Sequence, residues 1–293
     1  MELKNDIQAR YLLGLESIFP HYDAFIIDLW GVVHDGINPY PGTVDCLNRM
    51  IASEKSVTFM SNTPRPWNTV YQRLKDFKVN LNPEMILTSG DLVRNYLQEK
   101  TTLPGSVHKK YYHLGAHRNA DILHEIYVEL VDDIEKADKL LLTLYMDEGE
   151  DITAYDAIFE RALARKLPLV CANPDKIVVN GRYNRYCAGF FAERYGNQGG
   201  RVIYYGKPHP AIYEVALKKV ATQGIQDLKR ILMIGDTMDT DIAGAIGAGI
   251  GSALVLSGNA SALLKDNIKP HHTEALLKDY HYSPNWVLES LKW

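Results

Sequence analysis

Three carboxylates that follow apolar runs could together hold a divalent metal ion. Asp28 comes directly after the apolar residues 25–27, and Asp236 and Asp241 follow the apolar run 231–234. Carboxylate oxygens are hard ligands that suit Mg2+, an ion that keeps several waters and bridges to substrate phosphate. These residue types therefore predict metal-assisted chemistry on a phosphate group.

Two further apolar runs end in the groups that a phosphate dianion needs. Ser61 and Asn62 close the run 57–60, and Lys207 follows two tyrosines and a glycine. Hydroxyl and amide groups donate hydrogen bonds, while the ammonium supplies positive charge. The segment after Ser61 is expected to enter a helix, whose free backbone donors favour an anion.

Strands and helices that alternate along the chain could bring these four segments together. Apolar runs and helical spacing predict strands at the four segments and at 85–90 and 251–256, with helices over 8–19, 41–53, 66–77 and 210–222. Alternation of this kind predicts a parallel sheet. Because residues just past the carboxyl ends of parallel strands converge on one crevice, separation in sequence is no obstacle to contact.

The middle of the chain repeats the alternation and has enough elements for a small core of its own. We predict strands at 110–114, 139–144 and 167–172, helices at 117–127 and 153–165, and an acidic loop at 145–151. Residues 176–179 and 183–186 predict a β-hairpin, because Asn180-Gly181 between them favours a tight turn.

The four motifs, in this order, resemble the haloacid-dehalogenase-like hydrolase superfamily over nearly the whole chain. Residues 61–63 and 171–175 are most similar to its class IIA branch. The resemblance implies an α/β fold with a doubly wound, Rossmann-like parallel-sheet core formed by residues 1–90 and 201–293. It also implies an α/β cap domain at 91–200, inserted between the second and third motifs.

The resemblance also implies roles for individual residues. Asp28 would be the nucleophile that forms an aspartyl-phosphate, while Ser61, Asn62 and Lys207 would hold the transferring phosphoryl group. The implied Mg2+ site comprises Asp28, the backbone carbonyl of Trp30, Asp236 and Asp241. Loops of the cap would read the organic part of the substrate, with Asn173 and Asp175 as the candidates here.

Trp30 departs from the family pattern, which usually places at this position an aspartate that protonates the leaving group and then activates water. Indole donates one hydrogen bond but cannot exchange a proton at neutral pH. Loss of a general acid and base lowers a rate roughly 10²- to 10⁴-fold. The sequence leaves open a substitute acid or base, for which His34 and Asp35 are candidates. It equally leaves open a slow phosphatase.

Two alternatives to a phosphatase also stay open. The first is a protein that binds a phosphorylated ligand without turnover. The second, more remote, is a dehalogenase, because dehalogenating relatives carry an aromatic residue where Trp30 stands. Those relatives do not use Mg2+, whereas the segment from Gly235 to Asp241 is typical of a metal-binding motif.

Composition limits the remaining function classes. A net charge of −4 and a pI near 6.2 give no bulk attraction to nucleic acid. The longest apolar stretches are strand-sized, short of the ~20 residues that span a bilayer, and the start has no secretory pattern. Three widely spaced cysteines favour the reducing cytoplasm. The aromatic-rich tail 280–293 either packs back on the core or meets a second subunit in a homodimer.

The sequence thus predicts a cytoplasmic, Mg2+-dependent phosphoester hydrolase that acts on a small phosphorylated metabolite, with a turnover limited by Trp30.

Overall fold

The computed structural model describes residues 10–102, 109–147, 149–180, 183–264 and 277–293. The chain forms two compact units. The first comprises Met1–Met60, Arg73–Met85 and Tyr213–Trp293, and the second comprises Ser61–Gln72 and Ile86–Ile212. The boundaries that the sequence suggests for core and cap, at residues 90 and 200, remain predictions.

The strands of the described residues are β1 (Arg10–Leu12), β2 (Ala24–Ile27), β3 (Ser56–Ser61), β4 (Ile86–Thr88), β5 (Lys110–Gly115), β6 (Glu129–Leu130), β7 (Lys139–Thr143), β8 (Tyr145–Asp147), β9 (Leu169–Cys171), β10 (Ile177–Asn180), β11 (Tyr183–Cys187), β12 (Val202–Tyr204), β13 (Ile231–Gly235), β14 (Gly251–Val255) and β15 (Trp286–Leu288). The α-helices are α1 (Thr43–Ala52), α2 (Trp67–Asp76), α3 (Ser89–Thr102), α4 (Asp156–Ala164), α5 (Ala188–Asn197), α6 (Pro210–Thr222), α7 (Ala243–Gly247) and α8 (Gly258–Leu263).

Six strands of a parallel sheet lie in the first unit, in the order β1-β15-β14-β13-β2-β3. The central strands β2 and β13 are buried along their whole length, as parallel strands covered on both faces require. Their register pairs Ile27 with Ile234, so that Asp28 and Gly235 follow at the same end of neighbouring strands. The predicted parallel α/β core is confirmed.

The second unit contains its own parallel sheet, in the order β12-β9-β7-β5-β6. Successive side chains of a strand point to opposite faces. Accordingly, Leu140 and Leu142 of β7 belong to one apolar cluster and Leu141 to another, and none of the three is exposed. The sheet is therefore packed on both faces and has a substantial core of its own.

A small antiparallel sheet in the second unit has the order β10-β11-β8. Its hairpin, β10 with β11, confirms the pairing predicted for 176–179 and 183–186, while Gly181 of the predicted turn lies outside the described residues. The prediction of a loop from 145 was wrong at its start. Residues Tyr145–Asp147 form β8, because β11 offers them a free edge with which to pair.

Two helix predictions were wrong for related reasons. The apolar spacing in residues 8–19 predicts a helix, but Arg10–Leu12 forms β1 and pairs with β15, so tertiary pairing overrides local periodicity. Residues His117–Leu123 form a 3-10 helix rather than an α-helix over 117–127. The remaining predicted helices and strands lie within a few residues of those observed.

The aromatic C-terminal tail packs back on its own unit. β15 lies between β14 and β1, and the Trp293 ring lies 5.0 Å from the Phe19 ring, measured between centroids. Of the two arrangements open from sequence, the structure therefore shows packing on the core. Among the described residues, none of the helices combines the length and the apolar character that crossing a bilayer requires.

Phe191 on α5 is a test of the second unit's core. Its side chain is fully buried, with ring contacts to Tyr155, Phe159 and Phe190. We expect Phe191→Ala to lower the free energy of unfolding by about 3–5 kcal/mol, because truncation leaves a cavity. Urea unfolding measures this. The control Tyr127→Ala removes a 95% exposed ring and should change stability by less than about 0.5 kcal/mol. Equal effects of the two variants would contradict the packing described.

Candidate active site

Three buried carboxylates form the centre of the first unit's site. Asp28, Asp236 and Asp241 each offer an oxygen, and these oxygens lie within 4.8 Å of one another. The backbone fixes them: the Asp28 amide donates to the Ile234 carbonyl at 2.9 Å, and Asp236 directly follows β13. The sequence prediction that these three side chains converge is thus met by their geometry. Asp239 is exposed, in contrast to them.

Polar groups from two loops hold the Asp236 carboxylate in place. The Asn259 amide donates to Oδ2 at 2.6 Å, and the Thr237 hydroxyl donates to Oδ1 at 3.0 Å. The Asn259 side chain in turn donates to the Thr237 hydroxyl at 2.8 Å. The Thr237 backbone N–H donates to Asp241 Oδ2 at 3.1 Å. Two of the three carboxylates therefore have fixed orientations.

Gly31 leaves the space that Asp236 occupies. Its φ of 89° lies in the left-handed region, and a Cβ at this position would overlap Asp236 Oδ2. The Gly31 carbonyl accepts a hydrogen bond from the Ser257 hydroxyl. Glycine is required here both by the backbone conformation and by the close approach of the carboxylate.

The carboxylate group has the electrostatics of a cation site. The pKa of Asp236 lies well above the usual aspartate range, first because the side chain is buried and then because Asp28 and Asp241 place negative charge beside it. Like charges held together away from water cost free energy that a bound cation would offset. The donor set is all oxygen, which fits Mg2+ or a similarly hard ion.

Trp30 and His34 lie together in the loop after Asp28. Their rings are 5.4 Å apart in an edge-to-face arrangement, and His34 is 4% exposed. The Gly36 amide donates to His34 Nδ1 at 3.0 Å. Burial, and secondarily the Arg73 guanidinium, lower the pKa of His34 to about 4. The imidazole is therefore neutral at pH 7.

Asp35 serves the turn that follows. Its Oδ1 accepts hydrogen bonds from the Ile37 and Asn38 amides at 2.8 and 2.7 Å. A role for His34 or Asp35 as substitute acid or base remains a prediction.

In the second unit, the residues expected to hold phosphate form a buried group of their own. Ser61, Asn62 and Lys207 are each no more than 7% exposed. Lys207 N donates to Asn62 Oδ1 at 2.7 Å, and Asn62 Nδ2 donates back to the Lys207 carbonyl at 3.0 Å. The Ser61 hydroxyl accepts from the Thr63 amide at 3.2 Å. The structure thus brings Asn62 and Lys207 into direct contact.

The segment expected to read the substrate contacts the same group. Asp175 Oδ1 accepts from Asn62 Nδ2 at 2.8 Å, and Asn173 Oδ1 accepts from the Asp175 amide at 3.0 Å. Substrate contact by Asn173 or Asp175 remains a prediction. Arg65, close behind Asn62 in sequence, pairs through Nε with Asp121 at 2.8 Å.

Sequence reasoning missed Thr237 as a holder of the carboxylates, and it missed the loop Ser257, Gly258 and Asn259. The signal was present, because that loop directly follows β14, and polar residues at strand ends are what identified the other motifs. A fifth application of the same rule would have found it.

The fold and the carboxylate group define a doubly wound α/β protein with an acidic, metal-type site at the carboxyl edge of its sheet. Residues 25–129 match the family model described as haloacid dehalogenase-like hydrolase, and residues 204–293 match the one described as HAD-hydrolase-like. A solved hydrolase of the haloacid dehalogenase-like family from Brucella suis 1330 is 32% identical, with a TM-score of 0.78 over 96% of this chain and 99% of that one. The chain belongs to the haloacid dehalogenase-like hydrolase family, which confirms the resemblance read from its motifs.

Two more distant relatives have named activities. An acid sugar phosphatase of Staphylococcus haemolyticus (strain JCSC1435) is 26% identical over 244 residues, which are 81% of this chain and 86% of that protein. A D-glycerol 3-phosphate phosphatase of Mycobacterium tuberculosis (strain ATCC 25618 / H37Rv) is 28% identical over 252 residues, which are 85% of this chain and 67% of that protein.

The raised pKa of Asp236 makes a stability prediction. A carboxyl whose folded pKa exceeds its unfolded value takes up a proton on folding, so its stabilising contribution is lost as pH rises toward the folded pKa. Asp236→Asn has no such loss, and its amide can still accept from Asn259 and donate to Thr237. We expect the metal-free variant to melt higher than the parent, by a margin that grows from pH 5 to pH 8.

Thermal denaturation in chelator measures this margin, and added Mg2+ should raise the melting temperature of the parent but not of Asp236→Asn. The matched control is Asp45→Asn, which alters an exposed carboxylate on α1 and should show neither effect. A variant less stable than the parent at both pH values would contradict the electrostatic account.

Proposed function

We propose that this protein is a Mg2+-dependent phosphatase that hydrolyses a small phosphorylated metabolite through an aspartyl-phosphate on Asp28. The observation that carries the proposal is the group of three buried carboxylates at the ends of β2 and β13. The names of the relatives, a sugar phosphatase and a glycerol phosphate phosphatase, support a small phosphoester as substrate.

The proposed reaction proceeds in two displacements. An oxygen of the Asp28 carboxylate attacks phosphorus, and the bond from phosphorus to the leaving alkoxide breaks. Water then attacks the aspartyl-phosphate, which releases inorganic phosphate and restores the carboxylate. Covalent catalysis of this kind replaces one difficult step by two easier ones.

Asp236 and Asp241, with Asp28 and the Trp30 carbonyl, would hold the cation. Mg2+ bound there would offset the repulsion between the nucleophile and the phosphate dianion and stabilise charge on the transferred oxygens. Asp236 contributes a fixed ligand, because Thr237 and Asn259 hold both of its oxygens.

Ser61 and Lys207 are proposed to bind the phosphoryl group. Support comes from burial: a lysine that is 2% exposed is uncommon unless its charge is used or paired. The Lys207 backbone is held at both its N–H and its carbonyl, so the root of the side chain is fixed.

Trp30 is proposed to limit the rate. Neither the indole nor an imidazole that is already neutral at pH 7 can release a proton to a departing alkoxide. Esters with acidic leaving groups, which depart without a proton, should therefore be hydrolysed fastest.

The first experiment is turnover on a panel of small phosphoesters, including 4-nitrophenyl phosphate, with Mg2+ and with chelator. We expect Mg2+-dependent release of phosphate that Asp28→Asn abolishes, because an amide is not a nucleophile toward phosphorus. Asp45→Asn should retain the parent rate.

Undiminished hydrolysis by Asp28→Asn would refute the assignment. Saturable binding of phosphoesters without turnover, in parent and variant alike, would favour a ligand-binding protein.

Trp30→Asp tests the missing acid and base directly. It should raise turnover of alkyl phosphates by up to roughly 10²-fold, the lower end of what a general acid and base contribute, and should affect 4-nitrophenyl phosphate far less. Trp30→Asn is the matched control, because it has the same shape but no titratable group. If both variants gain equally, or neither gains, Trp30 does not limit the chemistry. Initial rates across the panel decide this.

A further inference from the structure

The backbone of Lys207 is held by one side chain rather than by a neighbouring strand. Asn62 accepts from Lys207 N at 2.7 Å and donates to Lys207 O at 3.0 Å, so one amide satisfies both backbone groups. Asn62 and Lys207 are both 2% exposed, and water cannot easily replace these bonds. The position of the lysine therefore depends on the orientation of the Asn62 amide.

Asp175 determines that orientation. An ionised carboxylate only accepts hydrogen bonds, and its Oδ1 lies 2.8 Å from Asn62 Nδ2. A flipped Asn62 amide would place Oδ1 against both the Asp175 carboxylate and the Lys207 carbonyl, with three acceptors facing one another. Asp175 thus excludes the arrangement in which Asn62 could not hold Lys207.

Adjoining residues give Asp175 and Lys207 little freedom to move. The Asp175 amide donates to Asn173 Oδ1 at 3.0 Å, and the Asp175 carbonyl accepts from Gly189 N at 3.1 Å. Gly206 has a φ of 122°, and a Cβ there would lie 2.5 Å from Asn62 Oδ1 and 2.8 Å from Pro174 Cδ. The close approach of these three segments requires glycine at this position.

We propose that Asp175 is a positioning residue for Lys207 and acts on it through the side-chain amide of Asn62. This proposal rests on the proposed function, in which Lys207 binds the phosphoryl group. It differs from the prediction that Asp175 reads the organic part of the substrate, because a residue that positions a phosphate ligand acts on the part that all substrates share.

The test compares kcat/KM of Asp175→Leu and Asp175→Asn with the parent on phosphoesters that differ in their organic part. Asp175→Leu leaves Asn62 without its charged acceptor and should lower kcat/KM by about 10- to 100-fold, the effect of one hydrogen bond to a charged group. The loss should be the same for every ester within about threefold. Asp175→Asn, which keeps an acceptor oxygen, should recover most of it.

A double-mutant cycle with Lys207→Ala identifies the path of the effect. Once the ammonium is gone, its position no longer matters, so Asp175→Leu should cause little further loss. Should Lys207→Ala be too slow to assay, the same cycle is run on the affinity for orthovanadate in the presence of Mg2+, measured by calorimetry. Asp151→Leu, which removes an exposed turn carboxylate in the same unit, should match the parent throughout.

Two results would overturn the positioning role. One is a loss that differs more than tenfold between esters, which indicates substrate reading. The other is a loss that adds fully to that of Lys207→Ala. If Lys207→Ala itself leaves hydrolysis and orthovanadate binding unchanged, the proposed function fails. If Lys207→Ala is impaired but Asp175→Leu is not, only the positioning role fails. Asp175→Asn keeps the test usable should Asp175→Leu fail to fold.

Discussion

The burial of three like charges in one place is the constraint on which the rest of this structure depends. Asp28, Asp236 and Asp241 have oxygens within 4.8 Å of one another and are at most 6% exposed. Such a group is unfavourable without donors or a cation. Backbone and hydroxyl donors from Thr237 and Asn259 orient the carboxylates, and the remaining negative charge is what attracts a divalent ion. The metal-free fold therefore gives up stability to keep a site ready for binding.

A parallel sheet makes this concentration of charge attainable. The backbones of β2 and β13 are paired up to the last residue before the site, so the carboxylates begin where the ladder of hydrogen bonds ends. The second unit meets a comparable demand by another means. There Lys207 has its backbone bonded by a side chain, Asn62, across 145 residues of sequence. A rigid strand end and a side-chain clamp each fix a charged group to well under the length of a bond network that could relax it.

The sequence predicted those parts of the site that depend on local pattern. The strands before Asp28 and Asp236 are recognisable because an apolar run ends abruptly in a carboxylate, and their parallel pairing follows from the alternation of elements. Strand β1 was not predictable, because its apolar spacing is helical and only β15, over 270 residues away, makes it a strand. The contact of Asn62 with Lys207 and Asp175 escaped for the same reason. Its partners are named by no local rule, since any of several buried amides could have met them.

The loop that carries Trp30 shows how one apolar side chain changes the chemistry of its neighbours. The indole packs against His34 and helps to bury it, and burial is the main reason that the His34 pKa falls to about 4. An aspartate at the same position would have drawn water to the loop and kept the imidazole easier to protonate. Within the proposed function, Trp30 thus removes one proton donor and helps to suppress another. A phosphatase built in this way would discriminate among its substrates by the acidity of the leaving group before the cap makes any choice.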